Sequence, residues 1–254
     1  MDSNSHIGIF DSGIGGLTVL KALWAELPNE SFIYLADSAH APYGMRSPEQ
    51  VIALSFKNTE FLLERNVKLV VVACNTATGI AINHLRKTYS IPFVGMEPAV
   101  KPAAAASISK KIGVLATQRT FEADHFNATM NRYADGVEVY VQVGDGLVEL
   151  IEQGLADSPK TKKLLSQYLD PLVKAGIDQL VLGCTHYPFL LPLIRKIIPE
   201  TIVVHDPAPA VASQTRKILK KNDGLVSGHK NLEDQFYSTG DREILDRVLT
   251  GLLS

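Results

Sequence analysis

The chain has two cysteines, Cys74 and Cys184, and both stand in the same kind of place. Each ends a short apolar run, Leu-Val-Val-Val-Ala at 69–73 and Gln-Leu-Val-Leu-Gly at 179–183. Each is followed by small hydrogen-bonding residues, Asn75-Thr76 and Thr185-His186. Runs of this kind read as strands buried on both faces of a parallel sheet. The stretches that follow, 76–89 and 189–198, carry helical spacing. A cysteine where a strand gives way to a helix sits at the edge where open α/β sheets bind ligands. One such cysteine is ordinary packing, since the thiol is among the most buried side chains. Two, placed alike in two half-chains, point to chemistry. An ordinary thiol is a few per cent thiolate at neutral pH, and ionising it fully costs roughly 2 kcal/mol, less at a helix N-terminus. It can therefore serve as base on one turnover and acid on the next.

The spacing narrows the chemistry. A disulfide relay favours Cys-x-x-Cys, which the sequence lacks. A zinc site needs more neighbours than His186 beside Cys184. Nucleophilic catalysis needs only one thiol. Two single acid/base groups on opposite sides of one carbon suit a stereoinversion, in which one removes a proton from one face and the other delivers a proton to the opposite face. Asp11, Glu152 and His186 are the titratable residues near these turns. His186 is placed to hold the Cys184 thiolate or relay its proton, and Asp11 to help Cys74 lose one. Ser12, Asn75, Thr76, Thr117, Thr120 and Thr185 read as helix N-caps, and a cap at a strand's carboxyl end also points at the ligand crevice. His205-Asp206 reads as structural.

The elements that must position these residues alternate between strand and helix. A strand at 6–10 ends in Asp11-Ser12-Gly13-Ile14-Gly15-Gly16 and is followed by a helix at 17–27. The glycine turn lacks the last glycine of a dinucleotide fingerprint, Thr18 standing there, and reads as a carboxylate cradle. A strand at 31–36 leads into the loop 37–44, with a turn signal at Pro42-Tyr43-Gly44, and then a helix at 48–65. Strands are also expected at 91–96, 111–116, 137–143, 202–204 and 235–238. Helices are expected at 121–133, after the turn 144–146, and at 161–175, 210–221 and 241–252. Prolines in 97–102 interrupt both helix and strand and mark a crossing between domains, and 205–209 looks like a second. The stretch 222–233 reads as an exposed polar loop. Together these give an α/β protein with mostly parallel sheets.

The whole chain allows one large or two smaller domains in its 254 residues. A net charge of −2 gives no electrostatic case for nucleic acid or an anionic membrane. The polar start is no secretory signal, and no apolar run approaches the roughly 18 residues that span a bilayer. The expected compartment is the cytoplasm, and the expected state of both cysteines is the thiol.

The strings GIFDSGIGGLTVL, ADSAHAPYG, VVACNTATG and LGCTHYP, in this order, resemble the glutamate racemases of the cofactor-independent aspartate/glutamate racemase family, and the likeness runs from Ile7 to the FYSTGD stretch ending at Asp241. The resemblance implies two similar doubly wound α/β domains about a pseudo-twofold axis, with the active site in the cleft between them. The first would span 1–97 with 208–254 and the second 98–207. It implies that Cys74 and Cys184 are the two proton donors and acceptors. Asp11, Ser12, Tyr43, Gly44, Asn75, Thr76, Thr185 and His186 would line the substrate, with Pro42, Thr117, Thr120 and Glu152 as auxiliaries. The implied reaction interconverts L- and D-glutamate for peptidoglycan synthesis, with no cofactor and no metal. The partner is then the small-molecule substrate, and a homodimer is admitted. His40, Thr78-Gly79 and Gly144-Asp145 depart from the family's usual residues. Two rival readings stand beside it: the same chemistry on aspartate, and a two-domain amino-acid binding protein, which has no need of paired reactive residues.

Overall fold

The computed structural model describes residues 2–97, 99–228 and 232–253. Pro98, at the expected crossing, and 229–231, within the expected polar loop, lie outside the described residues. In chain order come β1 (Ile7–Asp11), α1 (Leu17–Glu26), β2 (Phe32–Ala36), α2 (Pro48–Leu63), β3 (Leu69–Val72), α3 (Asn75–Thr88) and β4 (Phe93–Gly95). Next are α4 (Val100–Ala106), β5 (Lys111–Ala116), α5 (Gln118–Glu122), α6 (Asp124–Tyr133), β6 (Glu138–Val143), α7 (Leu147–Glu152) and α8 (Pro159–Lys174). Then follow β7 (Gln179–Gly183), α9 (Leu191–Ile197), β8 (Val203–His205), α10 (Ala208–Lys221), β9 (Gln235–Ser238) and α11 (Arg242–Leu253). The chain divides into two compact units, Met1–Met96 with Ala208–Ser254, and Glu97–Pro207.

In the first unit the described strands form one sheet in the order β4-β3-β1-β2-β9, every pair parallel. β1, β2 and β3 are buried along their whole length, which is why their sequences are apolar without alternation. α2 starts cleanly because Ser47 accepts from the Gln50 amide, the Gln50 side chain accepts from the Ser47 amide, and Pro48 presets the first turn. Phe10, Leu35, Val51, Leu62, Val70, Val72 and Ile82 fill the core on that side.

The C-terminal segment returns to this sheet and is clipped along its lower edge. Asp234 accepts from the Phe32 amide at 2.8 Å and from the Trp24 indole at 2.9 Å, and Ser31 donates to the Leu232 carbonyl at 2.7 Å. Beneath lies an ion pair with both side chains out of water, Lys68 Nζ to Glu30 at 2.6 Å. Lys68 also donates to the Ser3 carbonyl at 2.7 Å, and Glu30 accepts from the Val226 amide at 2.9 Å. Truncating one partner strands the other charge, so Lys68→Met should lower the unfolding free energy by about 3–5 kcal/mol. Adding Glu30→Gln should recover most of that loss in urea denaturation. A single variant with an unchanged midpoint would show that the pair is not holding the segment.

In the second unit the order among described strands is β6-β5-β7-β8, again with every pair parallel. Read from the other edge it is β8-β7-β5-β6, the same winding as β4-β3-β1-β2. In both units the third strand lies beside the first, on the side away from the second. The winding therefore reverses between first and third strands, and ligands bind at the carboxyl end of such a switch point. β3 and β7, the third strands, are the ones that lead to Cys74 and Cys184.

Several local expectations change. Glu97 falls in the second unit rather than the first. The segment after it is helical from Val100, because Pro102 sits in the first turn, where a missing amide costs nothing. The helix expected over 121–133 is two, α5 and α6, parted at Ala123 in extended backbone. The helix expected from Phe189 is a 3-10 turn, Tyr187–Leu190, before α9 begins.

Candidate active site

Cys74 is the N-cap of α3. Its extended backbone, φ −132° and ψ 122°, turns the sulfur back over the helix end, where Sγ accepts from the Ala77 amide at 3.4 Å. A helix N-terminus favours negative charge on an atom held there. The thiol also reaches the Ser12 hydroxyl at 3.8 Å. Asn75 and Thr76 follow in the first turn, both buried. The Asn75 amide is the informative one: among the described residues neither its Oδ1 nor its Nδ2 has a hydrogen-bond partner. A buried amide with both ends unmade is costly unless something else supplies the bonds.

Asp11 ends β1 next to the β3 carboxyl end, the Ala73 amide donating to the Phe10 carbonyl at 2.8 Å. It is fully buried, and Oδ2 accepts from the Gly16 amide at 2.5 Å. One amide of the glycine turn is thus taken by Asp11 itself. Glycine is required at 16, because a Cβ there would lie 2.8 Å from the Asp11 Cβ and 2.9 Å from the Tyr34 hydroxyl.

The loop 37–44 is organised by Asp37, which sequence reasoning passed over. Asp37 follows β2 and is 1 % exposed. Its Oδ2 accepts from the Tyr43 hydroxyl at 2.5 Å, and its Oδ1 accepts from the Thr239 hydroxyl at 2.7 Å and contacts His40 Nδ1 at 2.7 Å. Asn58 on α2 donates to the Tyr43 oxygen at 3.0 Å. Burial first, and then the adjacent Asp37 charge, push the Tyr43 phenol far above the ordinary tyrosine range, so it remains a donor. Pro42 precedes the short 3-10 turn Tyr43–Met45 that contains Gly44. The signal available in the sequence was position: Asp37 stands after β2 much as Asp11 stands at the end of β1.

Cys184 is supported differently. No helix begins at it, and its sulfur faces His186 Nδ1 at 3.8 Å. His186 Nε2 lies 2.5 Å from Glu152 Oε1, at the end of α7. Burial alone would lower the His186 pKa, but the contacts with Cys184 and then with Glu152 outweigh it and hold the imidazole well above its ordinary value. As an imidazolium it donates to the Cys184 sulfur and to the Glu152 carboxylate, giving a sulfur–imidazolium–carboxylate chain that can pass one proton to the sulfur. Tyr187, the next residue, is fully buried and donates to the Gly144 carbonyl at 3.2 Å. Burial and then the Cys184 charge raise its pKa well above the ordinary value. Residue 144 is glycine for a packing reason, since a Cβ would lie 2.4 Å from the Tyr187 hydroxyl. Thr117 caps α5, accepting from the Thr120 amide at 3.4 Å, and the two hydroxyls lie 2.9 Å apart. Thr185 is buried between Cys184 and His186.

The first unit therefore brings together Cys74, Ser12, Asp11, Asn75 and Thr76 around its switch point. The second brings together Cys184, His186 and Glu152. Among the described residues no group of three or more His, Cys, Asp or Glu side chains is placed to hold a metal.

The family model described as Asp/Glu/hydantoin racemase matches residues 16–215. The glutamate racemase of Ectopseudomonas mendocina is 45% identical over 252 residues, covering 99% of this chain and 95% of that protein. The crystal structure of glutamate racemase RacE1 from Bacillus anthracis matches with a TM-score of 0.89 at 33% identity, over 99% of this chain and 94% of that one. The glutamate racemase of Francisella tularensis, solved in complex with D-glutamate, matches with a TM-score of 0.84 at 31% identity, over 99% and 94%.

Proposed function

The chain belongs to the Asp/Glu/hydantoin racemase family, and on that premise we propose that it interconverts L- and D-glutamate by proton transfer at the α-carbon. Cys74 and Cys184 are the two acid/base groups, and no cofactor takes part. The observation that carries this reading is the repeated placement of one thiol beside the switch point of each unit, on two sheets wound the same way. The reaction asks for one base on each face of the α-carbon, and a binding protein asks for none.

The supports of the two thiols fit the two roles. Backbone donation to Cys74 and the His186–Glu152 chain at Cys184 each let sulfur exist with and without its proton. The unmade bonds of Asn75 match a substrate with both charges near the α-carbon: Nδ2 donates to the carboxylate and Oδ1 accepts from the ammonium. Ser12, Thr76, Thr185, Tyr43 and Gly44 complete the substrate contacts, with Asp11 and His186 acting through the thiols. Among the described residues no helix is long and apolar enough to cross a membrane. The reading places the reaction in the cytoplasm, supplying D-glutamate for peptidoglycan precursors.

The test is circular dichroism of L-glutamate with the purified protein and nothing added. The signal should decay to zero as the racemate forms, and L-aspartate under the same conditions should keep its signal. A stable glutamate signal would overturn the reading, and decay with aspartate alone would move the substrate.

A further inference from the structure

We propose that Thr239, in the turn after β9, is a positioning residue for the substrate loop 37–44. It holds Asp37 so that Asp37 can hold Tyr43. The proposal rests on the reading that Tyr43 and Gly44 line the substrate, and it gives the C-terminal return of the chain a task in the reaction.

The geometry is that of a relay of contacts. Asp37 is buried, with Tyr43 and Asn58 on Oδ2 and Thr239 and His40 on Oδ1. Oδ2 takes the Tyr43 hydroxyl at 2.5 Å, on the loop side. Oδ1 takes the Thr239 hydroxyl at 2.7 Å, on the C-terminal side. Thr239 is itself anchored at three points. Its amide donates to the Ala36 carbonyl at 3.0 Å, its oxygen accepts from the Ala39 amide at 3.2 Å, and its hydroxyl hydrogen goes to Asp37. The following residue is seated as closely: a Cβ at Gly240 would lie 3.0 Å from the Ala39 nitrogen and 3.2 Å from the Ser38 carbonyl carbon. β9 puts this turn in place by pairing with β2 in the register Ile33↔Gln235 to Ala36↔Ser238.

The other partner of Oδ1, His40, has a side chain 33% exposed and can turn to water. Without the Thr239 hydroxyl, then, Asp37 keeps a weaker hold on its position, and the loop opens more often. A loop that is competent only part of the time lowers apparent affinity in proportion to that fraction. Substrate that does bind selects the closed loop, so turnover from the complex is little changed.

Two readouts test this together: amide hydrogen exchange of 38–46, and the kinetics of glutamate racemisation in both directions. Thr239→Val keeps shape and removes both the donor and the acceptor. It should speed exchange across 38–46 by about tenfold while β1 and β3 stay protected. It should raise KM for both enantiomers about five- to tenfold with kcat within about twofold. Thr239→Ser should restore both readouts. Gly240→Ala, which pushes the turn off the loop backbone, should repeat the valine phenotype. Unchanged exchange at 38–46, or faster exchange spread over the whole unit, overturns the proposal. So does local opening with KM unmoved in an enzyme that racemises glutamate. If the wild type leaves glutamate untouched while Thr239→Val still opens the loop, the hold on the loop stands and the substrate reading falls.

Discussion

Cys74→Ala and Cys184→Ala should each cripple racemisation in both directions, with a fall of about 10²–10⁴-fold, the contribution of a positioned acid or base, because in the proposed mechanism each turnover uses both groups. Cys74 sits over a helix end and Cys184 against an imidazole. In the proposed mechanism each enantiomer gives its proton to one thiol and receives a proton from the other. The receiving thiol lies on the wrong face to make product. In deuterated water, product should therefore carry solvent deuterium from its first appearance, because the donor thiol has already exchanged. Residual substrate should stay largely protiated at low conversion. A single base serving both faces would carry some original hydrogen across. Mass spectrometry of early product decides between them: protiated product, or one alanine variant that still racemises well, would end the two-thiol account.

How much of this was legible in the sequence depended on the range over which each residue's reason acts. β5 and β7 are read at their observed limits, because an apolar run bounded by turn residues is a local signal. The cysteines were legible for the same reason: a buried strand stops and a polar pair follows. Asp37 was not. Its partners Asn58 and Thr239 lie 21 and 202 residues away, and only the parallel pairing of β2 with β9 brings Thr239 to it. The difference between the two thiols was half legible. His186 is near Cys184 in sequence, whereas Glu152 comes to it only through the end of α7. A helix begins at Cys74 whereas a 3-10 turn, Tyr187–Leu190, follows Cys184, although the apolar runs that precede the two cysteines read alike.

That difference between the thiols makes the last prediction. His186→Asn should lower kcat by about 10²-fold, and Glu152→Gln by about tenfold, because in the proposed mechanism both act on the proton that Cys184 exchanges. Enantiomers have equal free energy, so kcat/KM must stay equal in the two directions for every variant, and the asymmetry must appear elsewhere. With α-deuterated substrate, the isotope effect on kcat/KM should grow in the direction in which Cys184 removes the α-hydrogen. It should shrink in the other, where delivery from Cys184 now limits the rate. The pH dependence has a definite sign. Burial lowers the His186 pKa, while the contacts with Cys184 and Glu152 raise it by more. The imidazolium therefore persists through neutral pH, and its contribution to stability and to proton relay is lost as pH rises through the raised value. Removing the Glu152 charge leaves burial less opposed, so the alkaline limb of the rate profile should move to lower pH in Glu152→Gln. An unmoved limb, or losses confined to KM, would reduce His186 and Glu152 to substrate contacts. A limb that moves together with direction-dependent isotope effects would mark them as the pair that sets the protonation of Cys184.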